Sequence, residues 1–196
     1  MDTIIDFIRH GEPVGGRRYR GHGINDPLSD KGWRQMWAAV PNPVPWSAVI
    51  SSPMQRCFPF ANAVANRFDL PIRVEERFKE IGFGEWEGLT PETVKQNNLP
   101  AYNAFYEDPV NRRPENAESL EGFCRRVASA FDELIRSCEG EHLVVVAHAG
   151  VIRGALRYVM RWPADAWYRI RVDNGAMTRF RGGGKGLQLE FHNLIR

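Results

Sequence analysis

Two histidines lie where a protein of alternating strands and helices places its chemistry. Arg9-His10-Gly11-Glu12 follows the short apolar run Ile4-Ile5-Asp6-Phe7-Ile8, and Ala147-His148-Ala149-Gly150 follows Leu143-Val144-Val145-Val146. Each run reads as a strand covered on both faces of a sheet. In open α/β sheets, ligands collect beyond the carboxyl ends of the strands, where loops diverge and helix N-termini point inward. At the first junction a guanidinium, an imidazole and a glycine that admits close backbone approach come together, a unit suited to phosphate. One Arg-His pair on a loop is equally compatible with solvated surface; two such junctions in one chain are harder to explain that way. Arg56 is the third signal, read as lying in the first turn of a helix with Ser52 at the cap and Pro53 at the first helical position. The helix macrodipole disfavours a cation there, a conflict that a bound anion removes. The fourth is Lys79-Glu80-Ile81-Gly82-Phe83-Gly84-Glu85-Trp86-Glu87-Gly88, whose glycines and aromatics among carboxylates read as a tight, specific loop.

The elements that must hold these residues alternate between strand and helix, which predicts a largely parallel sheet. Ser29 is placed as the N-cap of a helix carrying Trp33, Met36 and Trp37, ended by Pro41, Pro43 and Pro45. Ala48-Val49-Ile50 is a second strand and Leu70 to Val74 a third, near an edge because Pro71 has no N–H for the ladder. The helix after Ser52 buries a stripe from Met54 to Phe68 that includes Cys57, so Cys57 belongs to the core rather than to catalysis. Residues 90–118 form an irregular, partly helical insertion begun by Thr90 and Pro91, placed to act as a lid. The clearest amphipathic helix runs from about Ser119 to Ser137. In the tail, alternating segments around Tyr168 to Val172, Ala176 to Phe180 and Leu187 to Phe191 are expected, the last two forming a terminal hairpin across Gly182 to Gly186.

A chain of 196 residues is most simply one domain, residues 1–196. Its net charge of +2 is too mild to argue for nucleic acid, while Arg17, Arg18 and Arg20 give a locally basic mouth that attracts a small anion. Cys57, Cys124 and Cys138 show no metal-ligand spacing and fit a reduced compartment, and neither do His22, His142 and His192 suggest a metal. With no signal-peptide pattern and no membrane-length apolar stretch, the chain is read as cytoplasmic, a monomer or homodimer without membrane or nucleic-acid partners.

Arg9-His10-Gly11-Glu12, Ser51-Ser52-Pro53 with Arg56, Glu80, Gly84-Glu85-Trp86-Glu87-Gly88 and His148-Ala149-Gly150 together resemble, in order and spacing, the histidine phosphatase superfamily, which includes the cofactor-dependent phosphoglycerate mutases. The resemblance implies a three-layer α/β/α sandwich, phosphoglycerate mutase-like, with a mostly parallel central sheet. It also implies a metal-independent, cofactor-free phosphomonoester hydrolase acting on a small phosphorylated metabolite. His10 is then the nucleophile that becomes phosphohistidine. Arg9, Arg56 and His148, the last protonated while it binds the dianion, form the phosphate pocket, and Glu80 protonates the leaving oxygen and later activates water. Gly11 and Arg17 are further substrate-binding positions. Glu12 orients its loop, Glu85 and Glu87 pack the turn with Trp86, and Arg153 either adds positive potential or is an ordinary exposed helix residue.

Gly32-Trp33-Arg34-Gln35-Met36, Gly15-Gly16 leading to Arg20-Gly21, and Val172-Asp173-Asn174-Gly175-Ala176 look like the α-ribazole phosphatases of cobalamin synthesis. Two departures stand out. The Asn that many members carry soon after the Arg-His-Gly-Glu string is absent, with Gly15, Gly16, Arg17 and Arg18 nearby instead, and Ala149 stands where Gly is commoner. A mutase, moving a phosphoryl group between hydroxyls of phosphoglycerate, and a non-catalytic phospho-ligand-binding protein are the alternative readings.

Overall fold

The computed structural model describes residues 1–184 and 186–195. Strands β1 (Thr3–Arg9), β2 (Ala48–Ser51), β3 (Ile72–Val74), β4 (His142–Ala147), β5 (Met177–Gly183) and β6 (Gly186–Leu194) form one sheet in the order β3-β2-β4-β1-β5-β6. The first four positions run parallel and the β5/β6 hairpin continues the sheet antiparallel. Helices α1 (Asp30–Ala39) and α2 (Phe58–Phe68) cover one face; α5 (Leu120–Ser137) and α6 (Ala149–Met160) cover the other. This is the expected three-layer α/β/α sandwich. The strand period of two divides the core: Val144 and Val146 join the α1/α2 side, while Leu143, Val145 and Ala147 join α5 and α6. The expected insertion contains α3 (Pro91–Asn97) and α4 (Leu99–Glu107).

The expected caps Ser29 and Thr90, and also Ser119, each accept a backbone N–H from the residue three further on. Two expectations fail. The helix after β2 begins at Phe58, not at Pro53, so Arg56 lies in a turn before it, closed by the Cys57 and Phe58 amides on the Met54 carbonyl. Pro59 is the reason: in a helix begun at Pro53 it would be an interior residue with no N–H for the preceding turn, whereas as the second residue of α2 it needs no such bond. The segment Tyr168 to Val172 is not a strand. A 3₁₀ turn spans Ala164–Arg169, and the carbonyls of Ile170, Arg171 and Val172 accept from Arg153, His192 and Arg9 instead of from a neighbouring strand. Lys185, in the expected hairpin turn, lies outside the described residues.

Asp6 is fully buried in β1, where the Trp46 indole, His142 Nε2 and both Nε and Nη2 of Arg179 converge on its carboxylate. Burial pushes its pKa up, but the hydrogen bonds from His142, Arg179 and Trp46 outweigh this and hold it below the usual value. Breaking such a cluster from one side strands buried donors, so Asp6→Ala is expected to cost about 3–5 kcal/mol in urea unfolding at pH 7. Because the folded pKa is depressed, the carboxylate's contribution is present above the unfolded pKa near 4 and is lost as pH falls below it. The difference between wild type and Asp6→Ala therefore narrows in acid; a constant difference down to pH 2 contradicts this assignment.

Candidate active site

Three neighbouring parallel strands, β2, β4 and β1, end on the same side of the sheet. Their pairing sets Ser51 against Val146 and Arg9 against Ala147, so Ser52, His148 and His10 emerge side by side. The His10 and His148 rings lie 5.2 Å apart, edge to face. The His10 amide donates to the Ala147 carbonyl at 2.9 Å, and Asn174 Nδ2 donates to the His10 carbonyl at 2.9 Å. The chain around the first histidine is thereby fixed from β4 on one side and from the turn before β5 on the other.

His10 is buried, with its Nδ1 2.8 Å from the Gly11 carbonyl. A carbonyl only accepts, so Nδ1 carries the proton and Nε2 the lone pair. Burial, then Arg56 and Arg9, pushes its pKa well below the ordinary value, since each disfavours imidazolium. The ring is held neutral, as a nitrogen nucleophile requires.

Arg56 Nε, a donor only, faces His148 Nδ1 at 3.3 Å, and His148 Nε2 lies 2.7 Å from Ser52 Oγ. Nδ1 therefore accepts and Nε2–H donates, so the ring is a neutral tautomer in the free protein, whereas the protonated form is expected with a phosphate dianion bound. Burial, then Arg56 and His10, lowers its pKa well below the usual value. His148 is fully buried and sits behind the cavity wall rather than in it. It positions Arg56, the positive group that does line the cavity. Arg56 is itself 1% exposed, with Nη1 and Nη2 donating to the Ile24 and Gly21 carbonyls. The Cys57 thiol packs against the His148 ring, and burial pushes its pKa up to about 12, which keeps it protonated and unreactive.

The cavity at the strand ends measures about 340 Å³ and is lined by six arginines, Arg9, Arg17, Arg18, Arg20, Arg56 and Arg153, against two carboxylates, Glu12 and Glu80. A chain with a net charge of only +2 thus concentrates positive charge at one place. Burial lowers the Arg9 pKa to about 10; one Nη donates to the Val172 carbonyl, and its Nε is buried without a protein partner among the described residues. Such a donor costs free energy unless something accepts from it. Arg20 instead builds the rim, bonding Asp26 and the carbonyls of Val14 and Gly16. Arg17 lines the cavity and is exposed, whereas Gly11 is not part of the wall. A Cβ on Gly11 would stand 2.2 Å from the Gly32 carbonyl oxygen, so its lack of a side chain serves the packing of α1 against the loop.

Glu80 reaches the cavity from the loop after β3. Its two oxygens accept the Ile81 N–H at 2.9 Å and the Gly150 N–H at 3.2 Å, the latter in the first turn of α6, where the helix favours a carboxylate. A Cβ on Gly150 would meet Glu80 Oε1 at 2.1 Å, which makes glycine necessary for this docking. Glu12 pairs with Lys31 on the surface. Glu87 accepts from the Phe83 amide and fills the space over Gly21 and Gly23, tying the loop around Trp86 to the loop after β1. His22, His142 and His192 are engaged with the Glu80 carbonyl, Asp6, and Thr178 with the Arg171 carbonyl, respectively. Sequence reasoning missed Ser52 as a histidine partner and Asn174 and Tyr19 as cavity residues. Asn174 stood in a string quoted for its resemblance, which was the one signal available.

A mostly parallel sheet thus ends in a neutral imidazole, His10, beside a cavity walled by guanidiniums, with the neutral His148 ring packed behind it. Residues 5–195 match the model of the histidine phosphatase superfamily, branch 1, and the chain belongs to that family. It is 32% identical over 181 residues to bifunctional protein Rv2228c of Mycobacterium tuberculosis, covering 90% of this chain and 49% of that protein, so it spans about half of that relative's length. It is 28% identical over 177 residues to the adenosylcobalamin/alpha-ribazole phosphatase of Salmonella typhimurium, covering 88% and 87%. The solved structure of Bacillus stearothermophilus YhfR shares the fold with a TM-score of 0.90 at 24% identity, over 99% and 98% of the two chains. Among the described residues, no helix is long and apolar enough to cross a membrane and no cluster of ligating side chains could hold a metal ion.

Proposed function

We propose that this protein hydrolyses a small phosphomonoester through a phosphohistidine on His10. The observation that carries the reading is the fixed tautomer of His10, whose Nδ1–H is held by the Gly11 carbonyl at 2.8 Å beside a cavity walled by arginines. The Nε2 lone pair attacks phosphorus while the bond to the leaving oxygen breaks, and the Glu80 carboxyl gives that oxygen its proton. Arg9 and Arg56 match the phosphoryl oxygens with guanidinium forks and stabilise charge as the group transfers. In the second half, the Glu80 carboxylate takes a proton from water as its oxygen attacks the phosphohistidine, and inorganic phosphate and neutral His10 are restored. No metal or cofactor takes part in these steps.

α-Ribazole 5′-phosphate is one candidate substrate, supported by the sequence strings quoted above and by the name of the 28% identical Salmonella relative. The test is to incubate the protein with labelled phosphomonoesters, including α-ribazole phosphate, phosphosugars and phosphoglycerates. Acid-labile label on the protein and stoichiometric release of phosphate are expected. Isomerisation of phosphoglycerate dependent on a bisphosphorylated primer, without net release, would replace the hydrolase reading by the mutase one.

A further inference from the structure

The phosphoryl group and its neighbours do not account for Arg153. It stands one turn into α6, three residues after the amide that holds Glu80 and on the same helix face. Its Nε donates to the Ile170 carbonyl at 3.0 Å and its guanidinium lies 5.6 Å over the Tyr168 ring, so the position is built rather than solvated. This excludes the ordinary exposed helix residue. Neither terminal nitrogen has a hydrogen-bond partner among the described residues. Burial lowers its pKa, and its charge in turn lowers that of Arg9.

Behind it the same polarity continues. Arg113, brought from the 90–118 insertion, has Nε and Nη1 buried without hydrogen-bond partners among the described residues, beside the likewise buried Tyr168 hydroxyl. Its Nη2 donates to the Gly82 carbonyl at 3.0 Å, and the guanidinium lies 5.7 Å from the ring centres of Phe83 and Phe105. Cations buried without counter-charge destabilise a fold, and an arriving anion offsets that cost. A phosphomonoester dianion already meets Arg9 and Arg56, so Arg153 is a further cation on the Glu80 side, where the leaving oxygen must stand to receive its proton.

We infer that Arg153 receives a carboxylate carried by the leaving group, one or two carbons from the phosphorylated oxygen, so that the preferred substrate bears two anionic groups. A guanidinium with two unengaged Nη atoms meets a carboxylate in a bidentate fork. The inference rests on the hydrolase reading and narrows it, ranking phosphorylated hydroxy acids above α-ribazole 5′-phosphate, whose leaving group carries no anion.

The test compares kcat/KM for matched pairs that differ in the carboxylate: 3-phosphoglycerate against glycerol 3-phosphate, and phosphoglycolate against ethyl phosphate. The wild-type ratio is expected to favour the acid by roughly tenfold or more, the size of one charge-assisted interaction. Arg153→Gln should bring the ratio near one, and Arg153→Lys should retain part of it, with thermal melting confirming that both variants fold. Because a ratio is read, general losses cancel. A wild-type ratio near one, or an unchanged ratio in Arg153→Gln, overturns the inference while 4-nitrophenyl phosphate hydrolysis leaves the hydrolase reading standing. Absence of hydrolysis of every ester, with no label on His10, sinks both.

Discussion

Replacing His10 by Ala is expected to lower kcat/KM by on the order of 10⁴-fold or more and to abolish acid-labile phosphate on the protein, the loss typical of removing a covalent nucleophile. Nothing nearby substitutes for it. His148, 5.2 Å away ring to ring, has both nitrogens committed to Arg56 and Ser52, and the Cys57 thiol is kept protonated by burial. Residual turnover comparable to wild type, or label retained on His10→Ala, would mean that another group carries the phosphoryl. The neutrality of the two rings has its own signature. At about pH 6 an ordinary histidine is mostly protonated, whereas the ring-nitrogen NMR signals of His10 and His148 are expected to keep their neutral pattern in the free protein. The sign for stability follows: the unfolded chain takes up protons at these rings that the fold refuses, so their contribution falls as pH drops below about 6.5. Titration of either ring at its usual pKa would contradict the burial and guanidinium argument.

The parts of this arrangement that were legible in the sequence depend on local pattern. Leu143 to Val146 reads as a buried strand, the apolar stripe from about Ser119 to Ser137 reads as a helix, and a histidine directly after each strand is placed by strand direction alone. What was hidden depends on distant partners. Pro53 and Pro59 both suit the first turn of a helix, and only the second is used, which moves Arg56 out of the helix and onto His148. The alternation at Tyr168 to Val172 imitates a strand, but its carbonyls are taken by Arg9, Arg153 and His192. The protonation state of His148 could not be read from its own neighbours, because it is set by Ser52 and Arg56, more than ninety residues earlier. Helical period places Arg153 on the face of Gly150; that this face lines the cavity follows from how Glu80 docks on α6.

Glu80→Gln is expected to lower kcat for alkyl phosphates by roughly 10²–10⁴-fold, the range for losing a positioned acid and base. The two half-reactions separate the roles. An alkoxide leaving group needs a proton, so with alkyl esters phosphorylation of His10 itself slows. 4-Nitrophenolate leaves without one, so with the aryl ester phosphorylation survives, the water step becomes limiting, and a burst of nitrophenol equal to the enzyme concentration appears with phosphohistidine accumulating. Gly150→Ala tests the same group by position instead of by charge. Its Cβ would stand 2.1 Å from Glu80 Oε1, displacing the carboxylate from the α6 amide without removing it. The same dependence on leaving group is then expected, with a smaller loss. If alkyl and aryl esters lose activity equally in Glu80→Gln and no burst is seen, the carboxylate is a structural anchor between its loop and α6, and proton transfer belongs to another group.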